Sequence, residues 1–538
     1  MGQDVMDNSS MFTRRHLFAQ LALQESFDVA VIGGGATGLG VALDAAARGF
    51  TVALFESHDF AKGTSSRATK LVHGGVRYLA QGNIGLVREA LHERTTLLAN
   101  APHLAQPLPF VMPSYAWWQA PFYGVGLKMY DLLAGKAGLG RTEFLSRKET
   151  RKLLPNVQEK NLSGGVKYWD GQFDDARLAL ALAQTAAERG ALLINYCAAT
   201  GLLYEGNKVA GLNVQDKETG RSYAVKARCV INAAGVWVDE FRQMDGEHLK
   251  RPVKAMVAPS QGTHLVVDRE FMPSDHAILI PKTADGRVLF IVPWLGKLIL
   301  GTTDSPRDDL AREPTAFKDD TGFILGEAAK YLTRAPQRSD VKSIWVGLRP
   351  LVKPPDEESE AGHGPSGSHT KKLSREHTIL VSKSGLVTVT GGKWTTYRAM
   401  AEDVLDHAFE AKLLPERAGA VTVKLPLAGS QTSAHRISDA PGLHLYGSAA
   451  AQVQSMPGAA NELCPGLSEA MVRYAARFEY ARTAEDMLAR RSRLLFLDAK
   501  LAATVAPRIA EILQEETGVD PQLDAFLVLA KQYATLPE

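Results

Sequence analysis

The apolar positions of the chain follow two periodicities that alternate along it. Phe27-Asp28-Val29-Ala30-Val31-Ile32 is a short, mostly apolar, β-branched run, and Thr51-Val52-Ala53-Leu54-Phe55 is a second. Continuous runs of this kind are what a strand buried on both faces of a parallel sheet requires. Between them, Gly33-Gly34-Gly35-Ala36-Thr37-Gly38 leads into the Ala-rich helical stretch Leu39 to Arg48, which Gly49 ends. Helical spacing returns at 84–99 and at Asp175 to Arg189. Short strands occupy 191–232, with turn signals at Glu205-Gly206-Asn207 and Glu218-Thr219-Gly220, and Gly262 to Thr303 reads as several antiparallel strands. From 376 to 410 the pattern is again strand, Gly-rich turn, helix. Pro102 to Pro121 is rich in Pro and aromatic residues and predicts irregular structure, while 354–374 predicts an exposed, mobile loop. Past a compositional break at Pro426 to Ser430 the pattern is helical, most clearly from Met471 to Leu497.

This order predicts an α/β core at roughly 27–100, 160–250 and 376–425. An antiparallel β-rich cap interleaves with it at roughly 101–159 and 251–375, and a C-terminal α-helical domain covers 426–538. Residues 1–26 are expected to be a flexible N-terminal leader with a short helical piece. Thr13-Arg14-Arg15-His16-Leu17-Phe18 is similar to a twin-arginine export signal, but Gln20 breaks the short apolar segment that follows.

Composition narrows the function classes. The 538 residues include 61 Lys plus Arg and 59 Asp plus Glu, a net charge of +2, whereas a dedicated nucleic-acid binder is distinctly basic. The three cysteines, Cys197, Cys229 and Cys464, are too few and too scattered for a disulfide framework, a four-cysteine metal site or an iron–sulfur cluster. They fit a reducing compartment. No metal-binding motif is present, and His363 and His369 read as exposed imidazoles in the loop. No apolar run approaches the length of a membrane-spanning helix.

The chemistry begins at the first turn. Gly33, Gly35 and Gly38 form a GxGxxG between a strand and a helix, so that a diphosphate can approach the backbone and face the helix N-terminus. Glu56 closes the second strand, where a carboxylate accepts hydrogen bonds from ribose hydroxyls. The return of an α/β segment after residue 376 favours FAD over NAD, and Val230 to Trp237, with Gly235, reads as a buried strand ending where backbone passes a dinucleotide. Thr64-Ser65-Ser66-Arg67-Ala68-Thr69-Lys70-Leu71-Val72-His73-Gly74-Gly75-Val76-Arg77-Tyr78-Leu79 packs hydroxyls, glycines, a histidine and basic groups into one loop. Read by itself, it is equally a phosphate- or flavin-binding loop or a solvated basic one. Gly391, Gly392, Lys393 and Thr395 open a helix whose N-terminus suits a negatively charged flavin ring.

The Thr64 to Leu79 stretch resembles the signature of FAD-dependent glycerol-3-phosphate dehydrogenases. Further matches follow in order: Asp174 to Leu178, Gly262-Thr263-His264, Pro293-Trp294, Gly301 to Asp304, Gly347-Leu348-Arg349-Pro350, Gly391 to Arg398, Glu479 to Thr483 and Leu488 to Arg491. The resemblance covers about 27–500. It implies a glutathione-reductase-type, Rossmann-like FAD core, a substrate cap, and oxidation of sn-glycerol 3-phosphate to dihydroxyacetone phosphate by hydride transfer to flavin N5, with electrons passed to quinone. It further implies phosphate binding by Arg77, Tyr78, Arg375 and Lys393. His264 is then expected to take the hydroxyl proton, with Arg349 or a water as the alternative base, and Arg349 to stabilise the developing alkoxide. Thr64, Ser65, Ser66, His73, Gly74 and Gly75 fall to the cofactor.

The self-contained quinone-linked form implies peripheral attachment on the cytoplasmic face of the membrane. Trp117 to Tyr123, continuing to Lys128-Met129-Tyr130, reads either as an interfacial segment or as buried cap packing. A homodimer is left open. The rival readings are an oxidase that uses oxygen, an amino-acid or 2-hydroxy-acid oxidase of the same fold, and a non-catalytic flavin-binding subunit.

Overall fold

The computed structural model describes residues 10–75, 83–353 and 377–538. Arg77, Tyr78 and Arg375, and the loop expected at 354–374, lie outside the described residues.

Two sheets organise the chain. In the first, β1 (Phe27–Ile32) lies between β2 (Val52–Phe55) and β10 (Ser222–Asn232), and the order runs β17 (His377–Val381), β18 (Val387–Gly391), β10, β1, β2, β7 (Leu192–Ile194). All neighbours are parallel except the β17–β18 hairpin. The late strand β18 therefore does rejoin the sheet begun near residue 27, as the FAD reading requires. The strand β10 shows how the two periodicities meet. Its first half pairs antiparallel with β9 (Lys208–Asp216) and alternates buried and exposed residues. Its last four residues, Cys229 to Asn232, lie inside the parallel sheet and are all buried. The strand β8 (Cys197–Glu205) completes that meander. The helices Ala36–Ala47, Asp175–Glu188 and Tyr397–Glu410 pack together around this sheet.

The second, larger sheet runs β15 (Ser305–Pro306), β11 (Val257–Asp268), β14 (Lys297–Gly301), β13 (Leu289–Trp294), β12 (Ala277–Ile280), β4 (Ala105–Ser114), β6 (Gly164–Phe173), β3 (Leu71–Val72). The strand β16 (Ser343–Val352) pairs along β11, and β5 (Glu143–Ser146) pairs with β6. The antiparallel expectation for Gly262 to Thr303 holds. The expectation of irregular structure at Pro102 to Pro121 does not: β4 is a ten-residue strand, and the helix Gln119–Ala134 follows. Pro107, Pro109 and Pro113 occupy alternate positions, so their missing N–H groups fall on one edge of the strand. The other edge pairs with β6 along its whole length.

The leader expectation is corrected from Ser10 onward. Arg14–Leu23 is a helix capped by Thr13, and Leu17 and Leu21 are buried in the core. Arg14 pairs with Asp216 and Glu218 and donates to the carbonyls of Asn195 and Tyr196. A helix with two buried leucines and a half-buried, paired guanidinium is an anchored element, not a tail.

After residue 426 the chain is mainly helical, with a short hairpin at Glu462–Cys464 and Leu467–Ser468. The break at 426–430 is tightly held: Leu427 is buried and donates to the Asn100 carbonyl, and Ala428 donates to the Thr185 hydroxyl. A seam of buried charge joins this unit to the rest. Asp59 accepts from Arg490 and Arg491, Arg177 meets Glu479 at 2.7 Å, and Arg493 meets Asp175 at 3.0 Å. Near the C-terminus Tyr533 donates to Glu313, whose other oxygen accepts from Arg67 and Lys62.

Candidate functional site

A trough runs across the C-terminal ends of the parallel strands, where ligands of open α/β sheets bind. One end is a cavity of about 140 Å³ lined by Gly33, Glu56, His58, Trp237 and Arg312. The other is a cavity of about 330 Å³ lined by His73, His264, Arg349, Gly391, Lys393 and Thr395. Gly35, Thr64, Ser65, Ala233 and Gly235 line both, so the two are halves of one elongated site.

Its first half is shaped by the glycine turn. Gly33 has φ +103°, in the region that favours glycine. A Cβ at Gly38 would lie 1.9 Å from the Gly33 carbonyl oxygen, so the helix that starts at Ala36 can reach the strand end only without one. Glu56 accepts from Gly34 N at 2.7 Å and from His58 N at 2.8 Å. Burial pushes its carboxyl up from the ordinary range, and the two amides oppose this. Burial, with Arg312 beside it, pushes His58 down to about 4. Arg312 stacks over Trp237, 3.8 Å from the ring centroid, and closes this end. A narrow groove with a carboxylate at its head and a glycine-lined helix N-terminus at its middle fits the adenosine diphosphate half of FAD.

The second half fits the flavin. Gly391 and Gly392 turn with φ +81° and +74°, and Lys393 to Thr395 lead into the helix Tyr397–Glu410. Trp394 Nε1 donates to the Ser65 carbonyl at 2.8 Å, which ties this turn to the Thr64–Ser66 loop. Ser65 Oγ accepts from Ala36 N, Thr64 Oγ1 donates to the Leu348 carbonyl, and Thr395 Oγ1 donates to the His73 carbonyl.

Four expected cofactor residues, Gly38, Ser66, Gly74 and Gly75, line neither half of the trough. Ser66 is buried, and its carbonyl accepts from Lys70 and Arg493. Gly74 is turned toward Tyr130 and Asp170, to which its N–H donates. Gly75 lines a neighbouring apolar cavity, and Gly38 acts through helix packing.

His264 and Arg349 come together through strand register. On β11 and β16, Ser260 faces Arg349, Gly262 faces Gly347 and His264 faces Trp345. Cross-strand partners share a face, and positions two apart share it too. The base candidate and the cation therefore stand on one face, with Gly262 and Gly347 between them. A Cβ at Gly262 would come within 2.6 Å of Arg349 Nη2, so the gap exists only with glycine there. Arg349 donates to the Thr303 carbonyl at 3.0 Å, to Asp304 at 2.9 Å and to Thr302 Oγ1 at 3.2 Å. His264 Nε2 lies 2.9 Å from Thr69 Oγ1, and its ring stacks on Trp345 with centroids 4.0 Å apart. Burial, then the charges of Lys70 and Arg349, hold this imidazole well below its ordinary value, so at neutral pH it is uncharged.

Thr69, Lys70 and Trp345 were not singled out by the sequence reading as partners of His264. Thr69 and Lys70 do lie inside the signature stretch. Trp345 sits two residues before Gly347, where only the strand register reveals its contact.

A third cavity of about 730 Å³ opens from the flavin half, sharing His73, Phe290, Thr302 and Arg349 with it. It is largely apolar and flanked by the helix Gln119–Ala134. Among the described residues no cluster of His, Cys, Asp and Glu suits a metal ion, and no helix is long and apolar enough to cross a membrane.

The comparisons with known proteins agree with this geometry. Residues 28–398 match the FAD dependent oxidoreductase family, and residues 420–523 match the C-terminal domain of alpha-glycerophosphate oxidase. The chain is 42% identical over 531 residues to the mitochondrial glycerol-3-phosphate dehydrogenase of Mus musculus, covering 91% of this chain and 70% of that one. It is 39% identical to the mitochondrial enzyme of Schizosaccharomyces pombe, covering 92% of this chain and 85% of the relative. The structure of glycerol-3-phosphate dehydrogenase from Bacillus halodurans complexed with FAD superposes with a TM-score of 0.74 at 28% identity, covering 98% of this chain and 99% of that one. The groove, the paired domains and the relatives agree: this chain belongs to the FAD-dependent glycerol-3-phosphate dehydrogenases.

Proposed function

We propose that this protein oxidises sn-glycerol 3-phosphate to dihydroxyacetone phosphate and passes the electrons to a quinone at a membrane surface. The observation that carries the first part is the placement of neutral His264, Arg349 and Lys393 around one cavity at the flavin end of the trough. FAD, when bound, supplies the hydride acceptor for the secondary alcohol. His264, uncharged and buried, takes the hydroxyl proton as the hydride leaves. Arg349, oriented by Asp304 and Thr302, stabilises the negative charge that builds on the substrate oxygen. Lys393 supplies a point charge for the phosphate, with Arg77, Tyr78 and Arg375 proposed beside it. Gly262 lets Arg349 and Thr302 close against the strand, and Gly347 does the same for the Arg67 backbone.

Two features support the membrane part. The apolar cavity joins the flavin half and is large enough for a quinone ring with part of its tail. Beside it the segment from Trp117 to Leu132 exposes Trp117, Phe122, Val125 and Leu132, with Trp117 84% and Leu132 82% exposed. Of the two readings of this segment, interfacial rather than buried packing is the one its exposure favours. The three cysteines are buried and free, which suits the cytoplasmic face.

The test is anaerobic reduction of the bound flavin. Bleaching of its visible band by sn-glycerol 3-phosphate, but not by glycerol or a 2-hydroxy acid, is the expected result. Reoxidation by a short-chain quinone, faster than by oxygen, is expected next. A band that persists with glycerol 3-phosphate, or that bleaches equally with a 2-hydroxy acid, overturns the reading.

A further inference from the structure

Lys70 has no task in the chemistry above, yet its setting is unusual. It is fully buried, one residue after the Thr69 whose hydroxyl meets His264. Its ammonium donates to the Ser66 carbonyl and to Asp175 Oδ2, both at 2.7 Å. The rest of its surroundings are aromatic. The ring centroids of Trp345, Trp294 and Phe496 lie 4.6, 5.3 and 5.3 Å from Nζ. Trp345 is the ring that stacks on His264, with planes 16° from parallel. Three parts of the chain thus meet at this ammonium: the core through Asp175, the β-rich unit through the two tryptophans, and the C-terminal unit through Phe496 and Arg493.

A buried ion pair is costly, and an apolar side chain of similar length would fill an aromatic box without that cost. Burial, seconded by Arg493, pushes the ammonium down to about 7 although Asp175 faces it. A methionine here could not act electrostatically on the imidazole. The charged groups that bear on His264 are Lys70 and, from β16, Arg349, and both disfavour the imidazolium. Asp175 Oδ2 also accepts from Ala68 N at 3.0 Å. The carboxylate that holds the ammonium therefore also fixes the segment that carries Thr69.

We propose that Lys70 is a positioning residue for the base: its buried ammonium, held by Asp175 behind Trp345, keeps His264 neutral and ready to accept the substrate's hydroxyl proton. This rests on the reading of His264 as base. Lys70 exchanges no proton with substrate; it acts through the field and through Thr69. Sequence position does not disclose this, because Lys70, just before β3, and His264, on β11, are far apart in the chain.

The test compares wild-type holoenzyme with Lys70→Met and Lys70→Gln. Both variants drop the charge, and glutamine keeps donors for Ser66 and Asp175. Asp175 stays paired with Arg493 in either variant. The rate of anaerobic flavin reduction by sn-glycerol 3-phosphate is followed from acid to alkaline pH. Loss of the cation raises the His264 value, so the acid limb is expected to move up by roughly one pH unit. In the acid range, reduction is then about tenfold slower than wild type, with the alkaline plateau retained. A second readout needs no substrate: pH titration of the oxidised flavin's visible band, which reports the charge on the neighbouring imidazole, shifts the same way. A limb and titration unmoved in either folded variant, or a rate lowered equally at every pH, overturns the proposal. So does a wild-type transition at or above about 6.5, the ordinary imidazole value, without any variant. Wild-type flavin that fails to bleach counts against the substrate reading alone, and the substrate-free titration still decides on Lys70.

Discussion

Gly38→Ala is the sharpest test of the nucleotide turn. Its Cβ would sit 1.9 Å from the Gly33 carbonyl oxygen. An ordinary carbon–oxygen contact is about 3.3 Å, so the helix must retreat from the strand end by roughly 1.4 Å. The obstacle is backbone, not a side chain that can swing aside. Overpacking of this kind costs about 1–3 kcal/mol, and the retreat also draws the helix N-terminus off the diphosphate. At about 1.4 kcal/mol per tenfold, a loss of that size in binding lowers FAD affinity about 5- to 150-fold. The thermal midpoint should drop by several degrees as well. The assays are flavin-to-protein ratio after purification, FAD titration of apoprotein, and melting by circular dichroism. Gly322→Ala is the control: it lies in the helix Lys318–Ala329 and its Cβ meets nothing within 4 Å, so it should be neutral or stabilising. A Gly38→Ala protein with wild-type flavin content and midpoint would refute the close-approach argument.

Three further outcomes are expected. His264→Asn should slow flavin reduction by about 10²–10⁴-fold with little change in substrate affinity. In the wild type that rate should stay flat through neutrality and fall only in acid, because the base is the neutral imidazole and its value is depressed. Asp59→Asn should cost about 3–5 kcal/mol by urea unfolding, since it leaves Arg490 and Arg491 facing a neutral group. The Asp59 carboxyl is held below its ordinary value by those arginines. Its contribution is therefore present at neutral pH and lost as pH falls through the folded value, so variant and wild type should converge in acid. Replacing Trp117, Phe122 and Leu132 together by serine should cut binding to phospholipid vesicles by more than about tenfold while leaving flavin bleaching unchanged; equal vesicle binding would remove the support for that face.

Much of this site was written in local patterns. A buried strand, a glycine turn and a helix dictate one another within a few residues, so the dinucleotide groove around Gly33, Gly38 and Glu56 could be read directly. The return at β18 was legible for the same reason. What local pattern could not show was decided by pairing at long range. The partners of His264 come from Thr69 and Trp345, which are set by the meeting of β11 and β16 with a loop far upstream. Pro107, Pro109 and Pro113 argued for irregular backbone, but their alternate spacing confines the lost donors to one strand edge. The helix Arg14–Leu23 looked like a tail because its stabilising partners, Asp216 and Glu218, lie some two hundred residues away. Ser66 resembled a ligand-facing hydroxyl because its neighbours are, although its carbonyl serves the buried cations instead.

The contact of Tyr533 with Glu313, and through it with Arg67, bears on how the protein is made. A ribosome delivers the glycine turn well before the residues that brace the reactive loop. Arg493 reaches Asp175 and Ser66 only once the C-terminal helices have emerged. The wall behind the base is therefore complete only after every strand of the parallel sheet has been made. A chain cut before Arg493 would keep the strands of the groove but lack the cation that Asp175 and Ser66 hold behind the reactive loop.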